Sequence, residues 1–251
     1  MKRYRADLHI HSCLSPCASL DMSPRAVVER SVERGIDVIA LCDHNSAENV
    51  GAAVRAGRRS GLRVLPGLEI NSEEEVHTLA IFDTEEQALA MQEILYAALK
   101  GSNRPDVFGD QVVANEMDEV EGFCDRLLIG AVGIGLHQVV REIRRLGGVS
   151  IASHVDRPSY SILGQLGFIP EDLLLDAVEV SSRGSVESVR RAVPEDREPA
   201  LGLVTSSDAH ELDDIGSATT WLFVESLEVE ELGLAFRGDL GRRVEIPART
   251  G

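Results

Sequence analysis

Short apolar runs alternate along the chain with stretches of helical periodicity, and most of the runs end at a histidine or a carboxylate. The first, Asp7-Leu8-His9-Ile10-His11, reads as a strand; side chains two residues apart on a strand share a face, so His9 and His11 stand side by side. Residues 12–23 read as a loop. Ser23-Pro24 then opens a helix, with Ser as N-cap and Pro at the first helical position, and Arg34-Gly35 closes it. Residues 36–42 are apolar except for Asp37, the pattern of a strand buried on both faces of a parallel sheet. Asp43-His44-Asn45 follow, and Ser46 is placed to cap a helix reaching about Ser60.

The pattern repeats. A strand over 62–68 leads into Glu69, a strand over 75–82 carries His77, and Asp83-Thr84 caps a helix to about Lys100. A helix over 135–146 precedes a strand over 149–153 that stops at His154. Strands over 176–180 and 203–206 follow, the latter running into Asp208-Ala209-His210; a strand over 219–224 and a short acidic helix near 226–237 complete the series. Alternation of this kind implies βαβ units with right-handed crossovers. Residues 101–133 break the rhythm, and the acidic stretch 116–121 has no strong periodicity. They read as an insertion over the mouth of one domain spanning 1–251.

Composition narrows the functional classes. The 251 residues can bury a full core, and 43% hydrophobic with 27% charged residues is an ordinary globular balance. Aromatics, at 4%, offer little material for base-stacking platforms. A formal net charge of −17 argues against bulk nucleic-acid binding, which needs cations to neutralise phosphates, but bound metals can reverse the sign locally at a small site. Cys13, Cys17, Cys42 and Cys124 form no CxxC pair, so reduced thiols in the cytoplasm are expected. Lys2, Arg3 and Arg5 are followed by Asp7, His9 and His11 where a signal peptide would need an apolar core, and the longest weakly polar run, 127–136, is too short to span a bilayer. No membrane association is expected.

His9, His11, His44, His77, His154 and His210 all fall within strands or just past their ends, where ligand sites form in parallel α/β architectures. The remaining histidine, His137, reads as a helix-face residue with no metal role. Glu69 and Asp208 join the six. Imidazole and carboxylate together suit Zn²⁺, Mn²⁺ or Fe²⁺, and the ligands are too many for one tetrahedral ion. Two or three divalent metals account for them.

Four segments in order, Asp7-Leu8-His9-Ile10-His11-Ser12, Cys42-Asp43-His44-Asn45, Gly67-Leu68-Glu69 and Ser206-Ser207-Asp208-Ala209-His210, resemble the motifs of the PHP (polymerase and histidinol phosphatase) domain over roughly residues 4–225. The resemblance implies a distorted (β/α)7 barrel with an inserted segment and a trinuclear centre at its C-terminal face. It implies that His9, His11, Glu69 and Asp208 bind a first metal, that Glu69 bridges to a second held by His77 and His154, and that His44 and His210 hold a third. The third site departs from the family pattern. Pro16 stands where many members have an Asp ligand, and Cys17 where histidinol-phosphatase-like members have a His. Cys17 is the first choice to complete it, with Asp21 the alternative and a structural thiol the bland reading of Cys17. Asp43 either orients a ligand or caps a turn.

Clustered metals suit phosphoester hydrolysis by a metal-activated hydroxide, with Glu69 and Asp208 at the catalytic centre. Arg157, three residues after His154, is expected to hold a substrate phosphate bidentately rather than form a surface salt bridge, since related small-molecule PHP phosphoesterases have an Arg at similar spacing. Arg183 is a weaker candidate whose bland reading is an exposed loop arginine. The expected substrate is a small phosphorylated metabolite, a nucleotide or a short oligonucleotide end. The alternatives are a histidinol-phosphate phosphatase, against which Cys17 counts, and a non-catalytic PHP binding or scaffold module.

Overall fold

A computed structural model describes residues 1–193 and 201–248. Its strands are β1 (Lys2–Ile10), β2 (Val38–His44), β3 (Arg63–Asn71), β4 (His77–Ile81), β5 (Val112–Ala114), β6 (Val120–Phe123), β7 (Val149–Ala152), β8 (Ala177–Val180), β9 (Gly202–Thr205), β10 (Thr220–Val224) and β11 (Arg243–Glu245). The helices are α1 (Pro24–Glu33), α2 (Val50–Ser60), α3 (Glu85–Ala98), α4 (Pro105–Phe108), α5 (Leu136–Arg145), α6 (Ile162–Leu166), α7 (Val186–Ala192) and α8 (Val229–Arg237). Nine strands form one sheet in the order β11-β10-β1-β2-β3-β4-β7-β8-β9. From β1 to β9 it curls into a nearly closed seven-stranded barrel. The seam is a parallel bridge between Ile10 and Ala209, where the His11 N–H donates to the Ala209 carbonyl at 3.0 Å. The distorted barrel expected from the resemblance is therefore the observed fold.

Side-chain alternation sorts the strands into two faces. Ile39, Leu41, Val64, Leu68 and Ile70 pack outward against α1, α2, α3 and α5, in a cluster with Val27, Val28, Val50, Ala53, Met91, Leu95 and Ile143. Ala6, Leu8, Val38, Ala40, Cys42, Leu65, Leu79, Ile81, Ile151, Ala177 and Val204 form a separate buried cluster inside the barrel. Val229, Leu232, Ala235 and Phe236 of α8 belong to that inner cluster, so the C-terminal helix closes the barrel floor.

The distortion has two sources. Only residues 72–76 separate β3 from β4, so the pair is an antiparallel hairpin, Asn71 opposite His77, and β4 is also antiparallel to β7. The expectation of βαβ units throughout fails at this point because five residues cannot make a parallel crossover. The second source is β1. Its register with β2 slips between Asp7 and Ile10, a bulge. Ala6 and Leu8 face the barrel interior below the bulge, and Ile10 faces the helices above it.

Local signals explain most element boundaries. Ser23 caps α1 by accepting from Ala26 N–H at 3.2 Å, and Thr84 and Gln87 form a reciprocal capping box on α3. Ser46 does not cap α2, which starts at Val50. Asn49 stands at the cap position, and its amide instead holds the inserted segment: it donates to Val112 O at 3.0 Å and accepts from Ala114 N–H at 2.9 Å. Residues 101–133 contain α4 and the two-stranded β5–β6 sheet. They are anchored at the barrel mouth where Asn45 Nδ2 donates to Leu128 O and Gly130 O, both at 2.8 Å. Among the described residues no helix is long and apolar enough to cross a membrane.

Candidate metal centre

Each inner-face row of apolar side chains ends in a polar group at the same end of the barrel. On β2 the row is Val38-Ala40-Cys42-His44, on β3 Leu65-Gly67-Glu69, and on β8 Ala177-Glu179. β4 contributes His77 from its beginning rather than its end, because the strand runs the other way. On β1 the bulge brings His9 into the interior, with His11 just past the strand. His154 and Asp208 follow β7 and β9 with φ of +31° and +53°, left-handed backbone that non-glycine residues rarely adopt and that clusters at functional sites.

The groups converge. His9 Nε2 lies 3.2 Å from His11 Nε2, 3.4 Å from Glu69 Oε1 and 3.3 Å from Asp208 Oδ1. His11 Nε2 is 3.2 Å from Asp208 Oδ1 and 3.5 Å from Glu69 Oε2. Ligands about 2.0–2.1 Å from a tetrahedral Zn²⁺ are about 3.4 Å from one another. His9, His11 and Asp208 therefore have the spacing of a ligand set for a first-row divalent ion, with Glu69 within 3.5 Å of both histidines. Around Glu69, His77 Nδ1 and His154 Nε2 approach Oε1 at 3.0 and 3.1 Å, and His44 Nδ1 approaches Oε2 at 3.2 Å. His11, His44 and His210 form a third close group. His44 Nδ1 is buried with no hydrogen-bond partner, as expected of a nitrogen kept for a metal.

Electrostatics favour the same use. Burial opposes ionisation of Glu69, yet His77 and His9 hold its carboxyl well below the usual range; burial likewise opposes Asp208, and His9 and His11 hold it low. Burial disfavours a charged His9, but Asp208, Glu179 and Glu69 outweigh it, so this spot attracts positive charge. His44 is pushed well below its ordinary value by burial and by His11, His77 and His210. His210 is pushed down to about 4, chiefly by burial and then by His11. Both rings are neutral near pH 7 and carry a free lone pair.

A second layer orients these groups. Glu179 Oε2 accepts from His9 Nδ1 at 3.0 Å and from the His154 N–H at 3.1 Å, leaving His9 Nε2 for the centre. Ser15 Oγ donates to Asp43 Oδ1 at 2.6 Å and lies 2.9 Å from His11 Nδ1. Asp43 also accepts from the Ser12 N–H and Oγ at 2.8 and 2.6 Å. Through Ser15 it orients His11, a candidate ligand. Glu179 is the residue that sequence reasoning missed, although a lone Glu in the buried strand Ala-Val-Glu-Val is a readable signal. Asp7 is buried too, accepts from the Ser207 and Gly216 N–H groups at 2.9 Å each, and has its pKa pushed up to about 6, chiefly by burial.

Other expected site residues are placed as follows. Cys17 is exposed on the wall of the pocket over the centre and belongs to none of the three close ligand groups; Asp21 is also exposed. Arg157 lines the same pocket, of about 380 Å³, and its Nη2 contacts Asp208 Oδ2 at 2.6 Å. Ile129 of the insertion lines it as well, and Tyr160 stacks on His77 with ring centroids 4.8 Å apart. Arg183 is exposed after β8. His137 is half-exposed on α5, 3.2 Å from Asp172 Oδ1.

Buried histidines and carboxylates at the strand ends of a distorted α/β barrel form candidate metal-binding groups. Residues 7–128 match the family model described as PHP domain, and three of the four motifs noted in the sequence, at 7–12, 42–45 and 67–69, lie within that stretch. A 5'-3' exoribonuclease of Haemophilus influenzae is 35% identical over 71 residues, 28% of this chain and 24% of that protein. A 3',5'-nucleoside bisphosphate phosphatase of Chromobacterium violaceum is 34% identical over 88 residues, 34% of this chain and 30% of that protein. Among solved structures, the lesion-specific endonuclease PfuEndoQ of Pyrococcus furiosus superposes with a TM-score of 0.70 at 16% identity, over 97% of this chain and 58% of that one, a likeness of fold. The matched stretches span less than two thirds of each of these proteins.

Proposed function

We propose that the protein is a metal-dependent phosphoesterase that hydrolyses a phosphate ester of a small metabolite or nucleotide at a di- or trinuclear centre of Zn, Mn or Fe. The observation that carries this reading is the spacing of His9, His11 and Asp208, 3.2–3.3 Å apart and buried, with Glu69 3.4–3.5 Å from both histidines. His77 and His154 extend the set through Glu69, and His44 and His210 extend it through His11. Cys17, on the wall of the same pocket, is the first choice to complete the third position, with Asp21 the alternative. Metals bound here would activate water and neutralise phosphoryl oxygens.

The protein's own groups divide the remaining work. Asp208 turns Oδ1 toward the histidines and holds Arg157 through Oδ2. Arg157 is thereby fixed at the pocket wall with Nε and Nη1 directed to no protein partner among the described residues, a donor set suited to phosphoryl oxygens. His210 Nδ1 donates to the Asp208 carbonyl at 2.8 Å, which leaves Nε2 as a neutral acceptor for a ligand or a proton. Glu69 touches three histidines within 3.2 Å and is the residue on which the centre depends most. The non-catalytic alternative predicts missing ligands, and none is missing from the first two sets.

The test is a screen of phosphomonoesters and phosphodiesters with added Mn²⁺ or Zn²⁺, together with metal analysis of protein purified without chelator. At least two transition-metal equivalents and metal-dependent turnover are expected, and Glu69→Gln should abolish turnover with the fold retained. Protein that binds no metal, or wild-type turnover in that variant, refutes the reading.

A further inference from the structure

We propose that Ile129 of the inserted segment and Tyr160 form an apolar wall that selects the organic group of the ester, with Ile129 limiting its width. This rests on the phosphoesterase reading and narrows it to esters with a narrow apolar group, such as a single ring, beside the scissile oxygen. The pocket over the candidate metal centre, of about 380 Å³, is lined in part by His44, Glu69, His77, His154, Asp208 and His210. Metals and a phosphoryl group would engage those six and Arg157. They do not call on Ile129, Pro158 or Tyr160, which line the same space. Side chains of that kind enclose the apolar part of a ligand while a few polar groups orient it.

Ile129 is held by the strands that carry candidate ligands. Asn45 follows His44, and its backbone N–H donates to the Glu69 carbonyl at 2.9 Å. Its Nδ2 donates to the carbonyls on either side of Ile129, those of Leu128 and Gly130, at 2.8 Å each. Asn71, two residues after Glu69 on β3, donates from Nδ2 to the Ile129 carbonyl at 3.4 Å, and its N–H donates to Asn45 Oδ1 at 3.1 Å. Two asparagines thus hold three consecutive carbonyls, and Leu128 is anchored in the outer apolar cluster. Asn45 has a left-handed φ of +50°, which Asn adopts more readily than most residues.

Tyr160 is fixed to β4. Its carbonyl accepts from the His77 N–H at 2.9 Å, and its ring lies on the His77 ring, 27° from parallel. A φ of +56° is costly for a bulky residue; such strain persists where surrounding contacts enforce it, and it clusters at functional sites. The residue is still 44% exposed, so its surface is available to a ligand. Both side chains are therefore placed by the barrel, and a wall fixed in this way discriminates by size.

The experiment is calorimetry of Mn²⁺- or Zn²⁺-loaded protein with methylphosphonate, phenylphosphonate and naphthylphosphonate, which share a head group and have no ester bond to cleave. Wild type should bind phenylphosphonate about 10-fold more tightly than either of the others. Ile129→Ala should raise the affinity for naphthylphosphonate relative to phenylphosphonate about 10-fold, and Ile129→Phe should weaken phenylphosphonate alone. Tyr160→Ala should bring phenylphosphonate down to the level of methylphosphonate. Methylphosphonate reports on the metal centre itself; a variant that no longer binds it has lost the centre, and the remaining variants carry the test. Wild-type affinities that ignore the organic group, or ratios that none of the substitutions changes, overturn the wall and leave the phosphoesterase reading standing. Wild type that binds no phosphonate overturns both.

Discussion

Glu179 acts on the centre through its neighbours. Its Oε2 fixes the His9 ring at 3.0 Å and the His154 backbone at 3.1 Å, so one carboxylate sets two candidate ligands from different segments. Partners of this kind typically contribute 10- to 100-fold in metal affinity. Glu179→Gln is therefore expected to weaken metal binding by about 10- to 100-fold, read by competition with a chromogenic chelator, while secondary structure stays intact. Unchanged affinity would show that His9 holds its orientation without Glu179. The contrast with Glu69 is chemical: Glu69 lies within 3.5 Å of both His9 and His11 and within 3.2 Å of three further rings, so on the proposed reading its loss would remove a ligand and not merely its support.

At the scale of elements, the centre depends on two departures from a regular barrel. Without the β1 bulge, Leu8 and His9 could not both turn toward the interior, since strict alternation sends neighbours to opposite faces. Without the reversed β4, His77 would sit at the far end of the barrel. The hairpin also leaves little room where β3 runs between β2 and β4. A Cβ on Gly67 would lie 2.6 Å from Cys42 Sγ, 3.1 Å from the Leu41 carbonyl and 3.2 Å from the Ala80 carbonyl. Gly67→Ala should cost about 1–3 kcal/mol by overpacking and lower the Tm by roughly 2–10 °C, measured by thermal denaturation. Glu69 is two residues further along β3, so metal affinity should fall with it. An unchanged Tm would mean that β2 and β4 give way freely at this position.

For the whole molecule, the proposed metal centre would tie stability to metal through its buried charges. Glu69 and Asp208 are 1% and 5% exposed, and ions bound only by the folded state stabilise it by mass action. Protein stripped by chelator should melt roughly 5–10 °C below the reconstituted form at metal concentrations near 100 Kd, with recovery on adding Mn²⁺ or Zn²⁺. Equal melting temperatures would place the metals outside the folded core. Much of this was legible in the sequence, because alternation of apolar runs with amphipathic stretches is a local property and the ligands sit at fixed offsets from those runs. His9, His11, His44, Glu69, His77, His154, Asp208 and His210 could each be named from position alone, and so could the capped starts of α1 and α3. Other features depend on residues far apart in the chain. The bulge shows only against β2, the direction of β4 only in the sheet, and the Glu179 bond only once β8 lies near β1. The role of α8 as barrel floor and the position of Cys17 outside the close ligand groups are of the same kind. The sequence by itself determined which groups could bind metal and at which strand ends they stand, since both follow from local pattern. Tertiary structure alone decided which atoms meet and which side chains orient them, because those distances are set by strand register and chain closure across more than a hundred residues.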